Sequence, residues 1–139
     1  MTPEDIAALM ARAYRHQEPW RAVDVAAMLD RPVSRLLTAP GAVLIAQVVA
    51  DEAEILALAT DPGTQRRGVA RGLLARFHDD AAADGVTRAV LDVAEDNEPA
   101  RTLYASAGYV ETARRHRYYA RRDGTRADAL LMARALPAG

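Results

Sequence analysis

The sequence predicts a mixed α/β domain, because the spacing of its apolar residues changes between helical and strand-like periods along the chain. Two short helical segments are followed by three strand-like segments, and then by a helix, a strand, a second helix and two or three further strands. Of the 139 residues, 50% are hydrophobic and 27% are charged, which is typical of a globular chain. We therefore expect residues 1–139 to form one domain around one core.

The first half of the chain contains two helices and three strands by these criteria. Thr2-Pro3 supplies the hydroxyl cap and the first-turn proline of a helix start. A second helix is expected from about Trp20 to Leu29, before Pro32 interrupts it. The apolar runs between positions 35 and 60 are short and separated by turn residues, so three antiparallel strands are expected there.

The second half alternates helices with strands. A long helix is predicted from about Gln65 to Asp84, with Gly85 as its C-terminal stop. A short strand over 87–93 and a helix from Asn97 to near Gly108 come next. The remaining segment, 109–134, has the pattern of two or three strands with a turn near its middle.

The composition excludes several kinds of chemistry. The chain has no cysteine, so disulfides, thiolate metal sites and a cysteine nucleophile are ruled out. The histidines, at positions 16, 78 and 116, lack a metal-ligand spacing, so we expect no metal, and His78 is expected on the surface of the long helix. The arginines lack a groove-reading or aromatic motif, so nucleic-acid binding is not expected.

The amino terminus gives an expectation about location. Met1-Thr2-Pro3-Glu4-Asp5 is acidic where a signal peptide would be positively charged, and no apolar run approaches the roughly 20 residues that span a bilayer. We therefore expect a cytoplasmic protein with no membrane segment. The sequence leaves its oligomeric state open.

The turn after Asp61-Pro62 is a candidate phosphate site. A helix that opens here has backbone N–H groups without intrahelical partners, and such groups attract anions. Gly68 allows a close approach of the backbone to a ligand, and Ala70 keeps the helix start uncrowded. Positive charge comes from three neighbouring arginines, which are Arg66, Arg67 and Arg71. The alternative is an ordinary solvated helix start. The turn has neither the Gly-Lys-Ser/Thr of a P-loop nor three glycines of a dinucleotide fingerprint.

A second motif follows the strand over 87–93. It reads L-D-V-x-x-x-N-x-x-A-x-x-L-Y-x-x-x-G-Y from Leu91 to Tyr109. Together with the turn at 61–70, this motif resembles the two-part signature of the GNAT acyltransferase superfamily. A narrower resemblance is to the bacterial ribosomal-protein alanine N-acetyltransferases. The residues that carry it are Trp20, Arg114-Arg115, Tyr118-Tyr119, Asp123-Gly124 and Asp128 to Met132.

This resemblance implies a GNAT-like acyl-CoA N-acyltransferase fold. In that fold a central mixed, mostly antiparallel sheet is flanked by helices and splayed in the middle, here between the strands that end at Thr60 and Val93. Acetyl-CoA would lie in the gap, with no metal involved. The resemblance assigns the pantetheine and acyl carbonyl to the backbone of Leu58, Ala59 and Thr60, and the thiol end to Asn97. It assigns the pyrophosphate to Arg66, Arg67, Gly68, Val69, Ala70 and Arg71.

The resemblance also implies the catalytic groups. Tyr104 would protonate the leaving thiolate, although a tyrosine on this apolar helix face is otherwise a core residue. Asp92 stands where the alanine acetyltransferases carry a glutamate base, so the carboxylate is shorter by one methylene. Other acids that could serve in its place are Glu95, Asp96 and Glu111.

The function that follows is an acetyl-CoA-dependent N-acetyltransferase that acts by direct attack in a ternary complex. The favoured acceptor is the N-terminal α-amine of a protein or peptide, because an α-amine has an ordinary pKa near 8 and loses its proton more readily than a lysine. One alternative acceptor is a small-molecule amine such as a polyamine or an aminoglycoside. A different alternative is a non-catalytic acyl-CoA-binding regulatory domain, motivated by the altered acid at Asp92.

Overall fold

The computed structural model describes residues 1–65, 68–121 and 123–137. Arg66 and Arg67 therefore lie outside the described residues. The described part contains four helices and six strands. The helices are α1 (Pro3–Ala13), α2 (Ala22–Leu29), α3 (Val69–Ala83) and α4 (Glu98–Ser106), and the strands are β1 (Ser34–Ala39), β2 (Ala42–Val49), β3 (Glu52–Thr60), β4 (Arg88–Ala94), β5 (Val110–Ala120) and β6 (Arg126–Ala135). None of these helices is long and apolar enough to cross a bilayer.

The six strands form one sheet in the order β1-β2-β3-β4-β6-β5. Neighbouring strands are antiparallel except for β3 and β4, which are parallel. The parallel pairing covers only the rows from Glu52↔Arg88 to Ile55↔Leu91. Beyond Ile55 and Leu91 the two strands separate, so the predicted splay in the middle of the sheet is confirmed.

A bulge in β3 explains where the splay begins. Ile45 of β2 faces Ala57, but the next residue, Ala46, faces Ile55, so Leu56 is an extra residue in β3. An extra residue bends its strand and reverses the faces of the side chains that follow. Accordingly Ala53 and Ile55 pack into one core cluster, whereas Ala57 and Ala59 pack into another.

Helices cover both faces of the sheet. The apolar stripes of α1 and α2 pack on one face against the second half of β3; the buried side chains in this layer are Ile6, Leu9, Met10, Val25, Val43, Ile45, Ala57 and Ala59. On the other face α3 and α4 cover a larger cluster that includes Leu73, Leu74, Phe77 and Tyr104. Helices α1 and α2 thus cover one face of the sheet, and α3 and α4 cover the other.

Helix α3 begins later than the sequence predicts. It starts at Val69 rather than at Gln65, because Gly68 has a left-handed φ of 75° and no helix passes through that conformation. The preceding Pro62–Thr64 forms one 3-10 turn. The predicted stop at Gly85 is confirmed, because this glycine follows the helix with a φ of 86°.

The predicted surface position of His78 is wrong. His78 is buried on α3, with an exposed fraction of 6%. Arg134 Nη1 lies 2.8 Å from His78 Nδ1, and His78 Nε2 lies 2.7 Å from the Tyr109 hydroxyl. Because arginine can only donate, Nδ1 is the acceptor and the Nε2–H donates to Tyr109. These tertiary partners explain why a polar side chain faces the core.

Candidate active site

The candidate site is the gap where β3 and β4 separate. The end of β3, Leu58 to Thr60, forms one wall, and Asp92 to Ala94 of β4 forms the other. Both segments remain hydrogen-bonded to their outer neighbours, β2 and β6. Alternate backbone groups of a strand point to opposite sides, so the inner edges of β3 and β4 offer N–H and C=O groups to the gap. A ligand with amide groups can use them as an additional strand would.

The first turn of α3 lies at the end of β3. The bond from Gly72 N to Gly68 O, at 2.9 Å, is the first of the helix, so the N–H groups of Val69, Ala70 and Arg71 have no partner within it. A side chain at Gly68 would meet no atom within 4 Å among the described residues apart from its chain neighbour, so the glycine is required by its backbone conformation. This geometry suits an anion.

Two predicted cofactor residues also have structural partners. The guanidinium of Arg71 donates to the Ser106 hydroxyl of α4 at 2.9 Å. Asn97 is the N-cap of α4, and its side-chain oxygen accepts from Ala100 N at 3.3 Å. The Asn97 oxygen therefore holds the start of α4, and a ligand in the gap would be contacted through the amide nitrogen.

Tyr104 lies at the inner side of α4 with an exposed fraction of 8%. Its ring packs edge-on against Tyr109, with 5.8 Å between the ring centroids. Burial raises the pKa of Tyr104, and repulsion from the ionised forms of Tyr14, Tyr109 and Tyr119 raises it further. The phenol is therefore protonated at neutral pH, which is the state that a proton donor requires.

Asp92 lies on β4 directly beside the gap. Its neighbours Leu91 and Val93 pack into the α3/α4 core, so the Asp92 side chain points to the opposite face. There it stands close to Tyr119 of β5: the pKa of Tyr119 is raised mainly by burial and next by the Asp92 charge. Tyr104 and Asp92 thus reach the gap from its two faces.

The other candidate bases are held in ion pairs. Arg114 lies 3.0 Å from Glu95 and 3.9 Å from Glu111. Arg121 Nη2 lies 2.5 Å from Asp96, and this hydrogen bond is the main cause that lowers the pKa of the Asp96 carboxyl. The carboxylates of all three are thus engaged with arginine side chains. Asp92, which belongs to none of these pairs, is therefore the best-placed base of the four.

Two features of the site were not predicted from the sequence. Tyr14, the C-cap of α1, has a buried hydroxyl and lies close enough to Tyr104 and Tyr119 to raise the pKa of both. The Asp96–Arg121 pair joins the loop before α4 to the end of β5, and Arg121 also donates to the His16 carbonyl at 3.4 Å. Tyr14 continues the stripe of Met10 by one helical turn, which is the signal that could have found it.

A cavity of about 310 Å³ opens beside these residues. It lies between the segment after α1 and the turn that joins β5 to β6, and it is lined by Ala11, Tyr14, Arg15, Gln17, Glu18, Pro19, Arg121 and Asp123. Through Tyr14 the cavity borders the buried tyrosines of the gap. Within residues 1–65, 68–121 and 123–137, no three histidine, aspartate or glutamate side chains are grouped as metal ligands would be.

Both the sequence and the fold of this chain are similar to those of known proteins. The sequence profile of the Acetyltransferase (GNAT) family matches residues 10–109. The ribosomal protein bS18-alanine N-acetyltransferase of Escherichia coli (strain K12) is 38% identical over 122 residues, which are 85% of this chain and 82% of that protein. The crystal structure of the ribosomal-protein-S18-alanine N-acetyltransferase from Escherichia coli has a TM-score of 0.85 at 34% identity, with 96% of this chain and 87% of that chain covered.

A more distant structure, the NatC complex bound to Gag peptide and CoA, has a TM-score of 0.80 at 17% identity over 97% of this chain and 91% of that chain, which indicates a shared fold. The predicted fold and the predicted resemblance to the alanine N-acetyltransferases are both confirmed. With its profile match and its relative both extending across the gap between β3 and β4, this chain belongs to the Acetyltransferase (GNAT) family of N-acyltransferase enzymes.

Proposed function

We propose that this chain acts as a single domain, residues 1–139, that transfers the acetyl group of acetyl-CoA directly to the N-terminal α-amine of a protein or peptide, an alanine-starting ribosomal protein being the favoured acceptor. The observation that carries the proposal is the gap between β3 and β4, with the helix start at Gly68 following β3 and with Tyr104 and Asp92 as the proposed acid and base beside it. The name of the Escherichia coli relative supports this choice of acceptor. The proposed location of this reaction is the cytoplasm, and the proposal includes no membrane or nucleic-acid partner.

The cofactor would be held mainly by backbone groups. The pantetheine amides would pair with the inner edge of β3 at Leu58, Ala59 and Thr60, where β4 has moved away. The pyrophosphate would lie at Gly68, Val69, Ala70 and Arg71, because the free N–H groups of the α3 start point there. Arg66 and Arg67 stay in the proposal as neighbouring positive charges, and Asn97 as the contact at the thiol end.

The chemistry would be a direct displacement. The neutral amine attacks the thioester carbonyl, a C–N bond forms, the C–S bond breaks, and the amine proton passes to Asp92 directly or through water. Tyr104 donates its proton to the leaving thiolate. Because an α-amine is partly neutral near pH 7, modest help from the base is enough.

The test is acetylation of a mixed library of N-terminal peptides, analysed by mass spectrometry beside a panel of polyamines and aminoglycosides. We expect acetyl groups on peptide α-amines, with alanine-starting peptides modified fastest. Acetylation of the small amines alone would replace the peptide acceptor by a small molecule. Heat of binding for acetyl-CoA without any turnover would instead indicate a regulatory acyl-CoA-binding domain.

Two variants separate the acid from general packing effects. Tyr104→Phe removes the proposed proton donor, and we expect kcat to fall by roughly 100-fold or more while acetyl-CoA still binds. Tyr109→Phe is the matched control, because it removes a buried phenol hydroxyl from the ring that packs against Tyr104. That hydroxyl accepts a hydrogen bond from His78, so it is engaged outside the gap. Equal activity in both variants would remove Tyr104 from the mechanism.

A further inference from the structure

The hydroxyl of Tyr14 is buried without a hydrogen-bond partner. Among the described residues it is the one buried side-chain nitrogen or oxygen in this state. Leaving such a group unpaired is costly relative to a paired one, and a native protein rarely retains that cost without a reason. The polar side chain of Gln17 lies nearby and lowers the pKa of Tyr14 against the larger effect of burial, but its distance and angle to the hydroxyl are not those of a hydrogen bond.

The position of Tyr14 connects the outside cavity with the reaction site. Tyr14 is the C-cap of α1 and part of the wall of the 310 Å³ cavity. On its inner side it packs against the cluster that contains Ala57 and Ala59, in the part of β3 that borders the gap. Its hydroxyl is also near enough to Tyr104, the proposed acid, and to Tyr119 to influence the pKa of both. A peptide that enters through the cavity to place its α-amine between Asp92 and Tyr104 would pass the Tyr14 hydroxyl with its first residue.

The chemistry of the hydroxyl selects the ligand group. Burial raises the pKa of Tyr14, so the phenol is protonated and can donate, and it is not a base at neutral pH. The attacking amine must keep its lone pair for the thioester, so it is a poor acceptor for this donor. The first peptide carbonyl is the nearest strong acceptor in the substrate, because only the α-carbon separates its carbon from the amine nitrogen.

We propose that the Tyr14 hydroxyl donates a hydrogen bond to the first peptide carbonyl oxygen of the acceptor, and that it thereby selects peptide N-termini over simple amines. This inference rests on the proposed function. It explains why the hydroxyl is unpaired without substrate, because its acceptor is then the substrate carbonyl. It also makes Tyr14 a residue for acceptor specificity, separate from the acid and the base.

The test compares two acceptors and two proteins. One acceptor is an alanine-starting peptide, and the other is the same peptide with its first amide replaced by a trans alkene. The alkene keeps the shape but removes both the carbonyl oxygen and the amide N–H, so the effect of the carbonyl is read from the change in the ratio between the native chain and Tyr14→Phe. With the native chain we expect kcat/KM to be about 5 to 30 times higher for the peptide, the range that a buried hydrogen bond of this kind gives. In Tyr14→Phe the ratio should fall to near one.

Control variants assign the effect to the hydroxyl. Tyr109→Phe should keep the native ratio, because its hydroxyl bonds to His78. Gln17→Met should also keep it, since Gln17 makes no hydrogen bond to Tyr14. Tyr14→Phe should melt no lower than the native chain, because it removes an unpaired buried group; a purely structural tyrosine would lower both the melting temperature and the activity on both acceptors.

Each failure has a distinct meaning. A native ratio near one, which needs no variant at all, would overturn the role of the carbonyl. A Tyr14→Phe protein that keeps the native ratio would overturn the role of Tyr14, and an equal loss on both acceptors would place the hydroxyl on the thioester instead. Failure of the native chain to acetylate any peptide would refute the proposed function, and the inference with it.

Discussion

His78 is a buried histidine between an arginine and a phenol, and both neighbours favour its neutral form. Burial is the main cause that lowers the pKa of His78 to about 4, and the positive charge of Arg134 is the second cause. Protonation would leave Nδ1 as a donor facing the donor group of Arg134 at 2.8 Å. The hydrogen bond from Arg134 of β6 to His78 of α3 therefore forms only while the ring is neutral.

The first prediction concerns stability against pH. In the unfolded chain the histidine binds a proton near its ordinary pKa of about 6.5, whereas the folded chain binds it only near pH 4. The unfolded state is therefore favoured progressively as pH falls between these values. The free energy of unfolding should fall by roughly 3 kcal/mol between pH 7 and pH 4 because of this residue, measured by urea denaturation.

A variant isolates the contribution of His78 from that of the carboxylates. His78→Gln keeps an acceptor for Arg134 but does not titrate, so its unfolding free energy should fall less over the same pH range. The paired acids, such as Asp61 and Asp128, have lowered pKa values and lose their stabilisation mostly at more acidic pH. Identical pH profiles for the two proteins would contradict the prediction.

The second prediction concerns Asp92 as the base. Asp92→Asn keeps the size of the side chain but cannot accept the amine proton, so kcat should fall by roughly 100-fold or more at pH 7, with the Kd for acetyl-CoA unchanged. Its rate should recover as pH rises toward 9, because the α-amine then loses its proton to solvent. Asp92→Glu lengthens the carboxylate by one methylene, to the side chain that the resemblance implies for this position, and should remain active. A fully active Asp92→Asn would assign the base elsewhere.

At the scale of elements, we expect the turn into α3 to affect both stability and cofactor affinity. Gly68 has open space around it, so its requirement comes from the φ of 75°. Gly72 also has open space, but it lies inside α3 and has no such conformation. The two glycines therefore form a pair in which the same substitution has opposite consequences.

The third prediction uses that pair. Gly68→Ala should lower the free energy of unfolding by about 1 to 2 kcal/mol, because an L-residue is strained in the left-handed region. If the turn relaxes, the N–H groups move, and the Kd for acetyl-CoA should rise by about fivefold or more, measured by calorimetry. Gly72→Ala should instead stabilise the helix by about 0.5 to 1 kcal/mol and leave the Kd unchanged. Equal affinities in both variants would move the phosphate site away from Gly68.

For the whole molecule, the periodicity of apolar residues predicted the helices and strands well but did not predict the tertiary contacts between them. The helices and strands could be predicted because apolar spacing and caps are local, and the splay followed from the resemblance. The start of α3 was displaced because a glycine φ is not visible in an apolar pattern. The extra residue Leu56, the unpaired hydroxyl of Tyr14 and the burial of His78 depend on tertiary partners, which no single segment encodes.

The fourth prediction follows from how weakly the two halves of the sheet are joined. β3 and β4 share four residue pairs, fewer than any other neighbouring strands among the described residues. A cofactor that pairs with the free edges would act as a bridge, so acetyl-CoA at about 100 times its Kd should stabilise the fold by about 2.7 kcal/mol. The melting temperature should rise by about 9 °C, since each kcal/mol raises it by about 3 to 4 °C for a chain of this length. Hydrogen exchange should slow most at residues 57–60 and 92–94, and least in β1. A rise in melting temperature with protection confined to the first turn of α3 would mean that only the phosphates bind, and that the gap does not hold the pantetheine.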